Sequence, residues 1–381
     1  MSLFDDDDDF VEDAVDAAVP SLGLVAPRQM DFCLGHSVQE KLFLDLHARG
    51  AMPHAMIFSG TQGIGKATMA FRLARFLFKY GKDNVADGGL FGDAAPAILP
   101  EVLDVAADDP VFRRVASGGH ADLLYVERAY DEKKGRSKAA LDVESVRKIE
   151  QFLRKTASEG GWRVVIVDDA DTMNRSAQNA ILKILEEPPA NVLMILIAHR
   201  AGRLIPTIHS RCRNVDFQSL DAPVMEELFA RQGVLFRPEE LDTVLTFAGG
   251  SIGRALQFVE EGGLDTLSLI FSTLAYMPEW DRVKVFELGE MLSPPSQDKA
   301  YRMFADLLQW VFRQVLFAKA RGAQNLPPCL ARSGLEGFLR KSSLEKLVGI
   351  CDSLKNHFES VEFSNLDRRD AVRGAFVVLS Q

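Results

Sequence analysis

The stretch Gly60-Thr61-Gln62-Gly63-Ile64-Gly65-Lys66 constrains the fold more than any other, because of what stands on either side of it. Before it, Ala55-Met56-Ile57-Phe58-Ser59 reads as a buried strand. After it, Met69, Leu73, Phe76, Leu77 and Tyr80 recur at helical spacing. Strand, glycine loop and helix in that order belong to an α/β domain with a parallel sheet. Such a loop turns successive backbone N–H groups toward one point, and the helix N-terminus and Lys66 add positive potential, so it can cradle phosphate. Gly60, Gly63, Gly65 and Lys66 are therefore candidate nucleotide-binding residues.

The residue after the lysine limits that site. A loop that also holds Mg²⁺ places Ser or Thr there, and this chain has Ala67. Thr68 comes one residue late, about 100° further round the helix, so its hydroxyl is expected to point elsewhere. The loop is predicted to hold phosphate and to hold the metal poorly. A second element follows at 162–167, a near-continuous β-branched run ending in Asp168-Asp169, as in a central parallel strand whose C-terminal end faces a ligand crevice. Asp168 stands where such a strand offers a carboxylate to Mg²⁺. Asp169 stands where a glutamate would orient the attacking water, with a side chain one methylene shorter. General-base placement tolerates only about half an ångström of error, so hydrolysis should suffer even where nucleotide binds.

Further elements fall into place around these. Leu123–Val126 and Val192–Ala198 read as strands, Val143–Leu153 as a helix, and a helix from about Ser176 is stopped by Pro188-Pro189. The stretch Gly81–Gly119 reads as loops with one short helix at most. Beyond Phe217 helical periodicity takes over, with segments at 224–232, 241–248 and 252–260 and a break at Gly249-Gly250. After Gly262-Gly263 the remainder reads as all-helical, with Phe304, Leu308, Val311 and Val315 on one apolar face expected to be core.

Composition excludes several classes. With 381 residues, 47% of them hydrophobic, the chain can bury a large core in two or three domains. Cys33, Cys212, Cys329 and Cys351 lie too far apart for a disulfide framework or a C-x-x-C metal pair, as expected of reduced thiols in the cytoplasm. No apolar run approaches the roughly 18 residues of a membrane span. Net charge is −10, and residues 1–20 hold eight acids, Asp5 to Asp9 among them, leaving the rest at −2. That first segment is expected to be a solvated tail, and a nearly neutral body argues against strong DNA binding by the chain alone.

In order, Pro53-His54-Ala55, the glycine loop, Met173-Asn174, Asn179-Ala180, Leu185-Glu186-Glu187-Pro188-Pro189, Leu204 to Thr207 and Ser210-Arg211-Cys212 resemble the AAA+ family, and within it the subunits of bacterial DNA polymerase III clamp loaders. The resemblance covers 31–217, continues weakly through Gly250-Ser251-Ile252-Gly253-Arg254 and touches Asn365-Leu366-Asp367. After the acidic tail, set at 1–27, it implies an α/β P-loop-like AAA+ core at 28–217, an all-α lid at 218–265 and an all-α collar at 266–381 that oligomerises. It assigns Arg211 the role of an arginine finger acting in a neighbour's ATP site, and Arg254 that of a second sensor facing the phosphates of this chain's own site. At the family's first sensor this chain has Ala198, or His199 if the register slips. His199 reads by itself as a surface histidine at a strand end.

An intact finger beside an eroded nucleotide site implies a stator rather than a competent ATPase, requiring no cofactor and holding ATP or ADP weakly at most. Implied partners are gamma/tau-type ATPase subunits and a delta subunit, with the sliding clamp and primed DNA met through the assembled complex. The four-cysteine zinc module of many loader subunits would fall within 81–122, which contains no cysteine, so no zinc is expected there. Two rival readings are an ATP-hydrolysing motor subunit of the same loader, opposed by Ala67, Asp169 and Ala198 jointly, and another AAA+ protein such as a helicase loader.

Overall fold

The computed structural model describes residues 25–81, 100–128, 130–131, 136–137, 140–158, 161–275, 277, 281–323, 325–364 and 366–380. The acidic segment up to residue 24, the stretch 82–99 and Asn365 lie outside the described residues.

Among the described residues seven strands run in chain order: β1 (Ala55–Ser59), β2 (Leu123–Val126), β3 (Tyr130–Asp131), β4 (Arg136–Ser137), β5 (Arg163–Val167), β6 (Val192–Ala198) and β7 (Arg213–Asp216). β3 and β4 form a minimal antiparallel pair, and the other five make one parallel sheet in the order β2-β5-β6-β1-β7. Side chains alternate strictly across it. Met56, Phe58, Val164, Ile166, Leu193, Ile195, Ile197 and Val215 enter one core, and Ala55, Ile57, Val165, Val167, Val192, Met194, Leu196 and Ala198 the other. Burial on both faces is why these strands read as apolar runs with no alternation.

The first face is covered by α1 (Ser37–Ala48) and α2 (Lys66–Tyr80). α2 is buried nearly all round, and its two arginines tie down neighbouring segments. Arg72 pairs with Glu40 at 3.1 Å and with Asp104. Arg75 donates to the carbonyls of Arg28 at 3.2 Å and Met30 at 2.6 Å while its guanidinium lies over the Phe112 ring. α3 (Pro110–Ser117) is the short helix of the loop-rich stretch, opened by an Asp109 cap with Pro110 behind it and closed by Gly118 in the left-handed conformation. α4 (Val143–Leu153) and α5 (Arg175–Glu186) cover the second face. The one-turn helix α6 (Pro206–His209) leads into β7.

From residue 220 the chain is helical: α7 (Ala222–Arg231), α8 (Pro238–Ala248), α9 (Ile252–Glu260), α10 (Gly263–Leu274), α11 (Arg282–Leu292), α12 (Asp298–Ala320), α13 (Glu336–Lys341), α14 (Leu344–Ser364) and α15 (Arg368–Leu379). Phe304, Leu308, Val311 and Val315 are fully buried, as the apolar face predicts. The expected boundary after residue 265 falls inside α10. Lid and collar helices share one continuous core there, with Phe247 of α8 packed 4.6 Å from Phe258 and 5.4 Å from Trp310 of α12. No helix among the described residues is long and apolar enough to cross a membrane.

Candidate nucleotide site

The glycine loop leaves the C-terminal end of β1 and enters α2, whose N-terminus no side chain caps. Its amides are therefore turned toward solvent and ligand. The loop is fixed from three sides. Ser251 Oγ donates to the Gln62 carbonyl at 2.7 Å, the Gly253 N–H to the Gly63 carbonyl at 2.9 Å, and His36 Nε2 to the Ile64 carbonyl at 2.6 Å. Gly63, at φ 77°, could carry no side chain here: a Cβ would stand 2.5 Å from Ser251 Oγ and 3.2 Å from Gly253 Cα. Gly60 is similarly closed in by the Phe217 carbonyl, which would lie 2.4 Å from a Cβ. The lid therefore grips the loop directly through the start of α9.

Beside the loop lies a cavity of about 410 Å³. One wall is apolar, with Met30, Phe32, Leu34, Leu228 and Leu256, and the other carries Lys66, Asp168, Asp169 and His199. Both Ala67 and Thr68 line it, and no hydroxyl directly follows the lysine. An apolar slot that ends in a phosphate-cradling loop suits a nucleotide.

The polar wall differs from expectation at His199. This residue is not a surface histidine at a strand end: its side chain is 21% exposed and sits between the loop and the aspartates. Lys66 Nζ is 3.0 Å from His199 Nδ1, and His199 Nε2 is 2.6 Å from Asp169 Oδ1. Strand order is the cause. β6 lies between β1 and β5, so the residue that follows β6 falls between those that follow its neighbours. Asp171 fixes the turn after β6, accepting from the N–H of His199 at 2.9 Å and of Arg200 at 3.2 Å.

Asp169 adopts φ 51° and starts a 3-10 turn. Its second oxygen accepts from Arg128 Nε at 2.7 Å, so each oxygen is already held by one partner. The bond from His199 holds its pKa below the ordinary carboxylate range, with Arg128 adding to the effect. Asp168 accepts from the Tyr125 hydroxyl at 2.8 Å. Donor atoms of Asp168, Asp169 and His199 lie within 4.8 Å of one another, a set that could face a cation, although both His199 ring nitrogens are engaged. Burial lowers the pKa of Lys66 to about 8, against the pull of Asp168, Asp171 and Asp169.

Two predicted site residues lie elsewhere. The Arg254 guanidinium sits 4.1 Å over the Phe247 ring, among the lid helices, and does not line the cavity. Arg211 is on the surface beyond α6, where Nη2 meets Glu186 Oε1 at 2.9 Å and Nη1 donates to the Thr207 carbonyl at 3.1 Å. The Ser-Arg-Cys and Leu-Glu-Glu-Pro-Pro segments thus touch through these two side chains. The Cys33 and Cys212 thiols are free, and burial pushes their pKa values up to about 11 and about 12.

Residues 105–221 match the family described as DNA polymerase III, delta subunit. The DNA polymerase III subunit delta′ of Pseudomonas aeruginosa is 32% identical over 213 residues, 56% of this chain and 58% of that protein. The DNA polymerase III subunit tau of Salmonella typhimurium is 28% identical over 217 residues, 56% of this chain and 29% of its own length. Over a little more than half of its length the chain is similar to subunits of DNA polymerase III. It spans a little over half of the delta′ relative and under a third of the tau relative. A solved gamma subunit-related protein from Thermotoga maritima covers 89% of this chain and 98% of itself at 17% identity, with a TM-score of 0.43. The architecture is an α/β domain built on a five-stranded parallel sheet, followed by a helical C-terminal region.

Proposed function

We propose that this chain is the delta-prime stator of a bacterial clamp loader. In this reading it gives Arg211 to the ATP site of a neighbouring gamma/tau-type subunit, and holds a delta subunit where the sliding clamp is opened for loading onto primed DNA. The observation that carries the reading is a pairing of opposites. The chain's own site has Ala67 in place of the metal-ligating hydroxyl and an Asp169 already bound to Arg128 and His199. Arg211, by contrast, stands at the surface, held only by neighbours on its own face. A guanidinium stays charged and offers a fork of donors to phosphate oxygens, which suits it to a site completed by another chain.

Turnover by the purified chain tests the stator against the motor. ATP hydrolysis is expected at the level of a no-enzyme control, with Lys66→Ala no different. Steady turnover that disappears in Lys66→Ala would make this a motor subunit. Co-purification with loader subunits separates both readings from an unrelated AAA+ role.

Binding without hydrolysis should depend on pH in a defined direction. With its pKa lowered to about 8, Lys66 loses its proton as pH rises through that value, whereas an unburied lysine would keep it to beyond 10. A bound polyanion favours the charged form, so affinity should fall progressively above pH about 8 and be flat below it. Fluorescent nucleotide titrations at pH 7 and pH 9.5 check this, and equal affinities at the two would exclude Lys66 as the charge partner.

A further inference from the structure

The Lys66 ammonium has three N–H donors and no acceptor. The carbonyls of Gly60 at 2.7 Å and Thr61 at 2.6 Å take two of them, and His199 Nδ1 at 3.0 Å takes the third. Since Lys66 can only donate, Nδ1 accepts, the ring proton sits on Nε2, and it is donated to Asp169. Arg128 closes the far end on the other oxygen of Asp169, and Asp171 holds the His199 backbone from behind. The result is a continuous chain from the glycine loop to Arg128 in which each donor of Lys66 and each ring nitrogen of His199 is already engaged.

This arrangement bears unequally on the phosphates of a nucleotide. The amides of a glycine loop hold the inner phosphates, whereas the lysine reaches the outer ones. With Lys66 turned onto the loop and onto His199, a terminal phosphate would find no free donor on it. It would also face Asp168 and Asp169 with no hydroxyl at position 67 to hold a screening metal.

We propose that His199 is a specificity-determining latch that occupies Lys66, so that the cavity takes a nucleoside diphosphate in preference to a triphosphate. The proposal rests on the reading of the loop as a phosphate cradle. His199 acts through Lys66, which makes it a positioning residue, and the preference between two ligands is a readout that a merely structural role would not move.

The test uses the full chain and two probes, fluorescent ADP and ATP analogues with Mg²⁺, titrated into wild type, His199→Ala, His199→Asn and Lys66→Ala. Asparagine retains polarity but is too short to bridge Lys66 and Asp169. Melting curves by circular dichroism confirm that each variant is folded. Wild type is expected to bind the diphosphate about tenfold more tightly, the worth of one charge-assisted hydrogen bond. Both His199 variants should tighten triphosphate binding by a similar factor of about ten and leave the diphosphate within about twofold, so the preference collapses. Equal affinities for the two nucleotides in wild type, or an unaltered preference in folded His199 variants, would overturn the latch. If Lys66→Ala still weakens binding in that case, the cradle stands without it. Failure of the folded wild type to bind either nucleotide would remove the cradle, and the latch with it.

Discussion

Replacing Arg211 by alanine is expected to leave the chain folded and able to join a loader, while ATP turnover at the adjacent subunit's site falls about 10³- to 10⁵-fold, as arginine fingers do where they complete a site. The two halves of that expectation rest on different observations. Structural tolerance follows from the surroundings of Arg211: its ion pair with Glu186 joins side chains that are 35% and 50% exposed, and exposed pairs contribute only about 0 to 1 kcal/mol. Its other bonds, to the Thr207 carbonyl and Ser210 Oγ, lie on the same surface turn. The catalytic half follows from the proposed role, in which the charge acts on a transition state this chain does not bind. Under the proposed role, turnover by a whole complex should fall by less wherever its other subunits supply fingers of their own. Lysine should rescue poorly, since it brings a point charge without the fork. Reconstituted loader, checked for assembly by gel filtration, decides the matter. Intact assembly with unaltered clamp-stimulated ATPase would rule out the finger, and a variant that failed to fold would make Arg211 a packing residue of its own surface.

The sequence carried the sheet and the loop because both are local. β1, β5 and β6 are continuous apolar runs, which only a strand buried on both faces requires, and the glycines of the loop are dictated by close backbone contacts at 60 and 63. α3 also left local marks, Asp109-Pro110 before it and Gly118 after it, although they stand in a stretch otherwise poor in pattern. His199 was misread because its role comes from the order of strands, which spacing along the chain does not encode. Only with β6 set between β1 and β5 does the residue that follows one apolar run meet a lysine 133 positions away. Arg254 shows the converse. Motif position suggests a side chain facing phosphate, but the ring of Phe247 offers a nearer cation–π contact. The glycine pair at 262 and 263 likewise opens α10, and the helices on either side of it share one core.

Phe58→Ala is expected to destabilise the α/β domain by about 3 to 5 kcal/mol, the usual cost of emptying a buried phenylalanine site, out of a total that is typically about 5 to 15. Phe58 is the penultimate residue of β1 and is fully buried. Its ring stacks on Phe43 of α1 at 5.4 Å and tilts against Phe217 at 5.0 Å, while its backbone pairs in register with Ile197 and Val215. Neither neighbouring strand can close inward without losing that register, so little of the cavity should collapse. The damage should also reach the site. Ser59 accepts the Phe217 N–H at 2.8 Å, and the Phe217 carbonyl packs against Gly60, so the ring that seats Phe217 also seats the first residue of the glycine loop. Phe58→Leu, which refills most of the volume, should cost about 1.5 kcal/mol or less and leave the loop in place. Urea unfolding followed by circular dichroism measures the first effect, and nucleotide titration of the still-folded fraction measures the second. A loss of stability below about 1 kcal/mol in Phe58→Ala would mean that the site relaxes around the missing ring. The stacked trio would then not be what fixes the loop to the sheet.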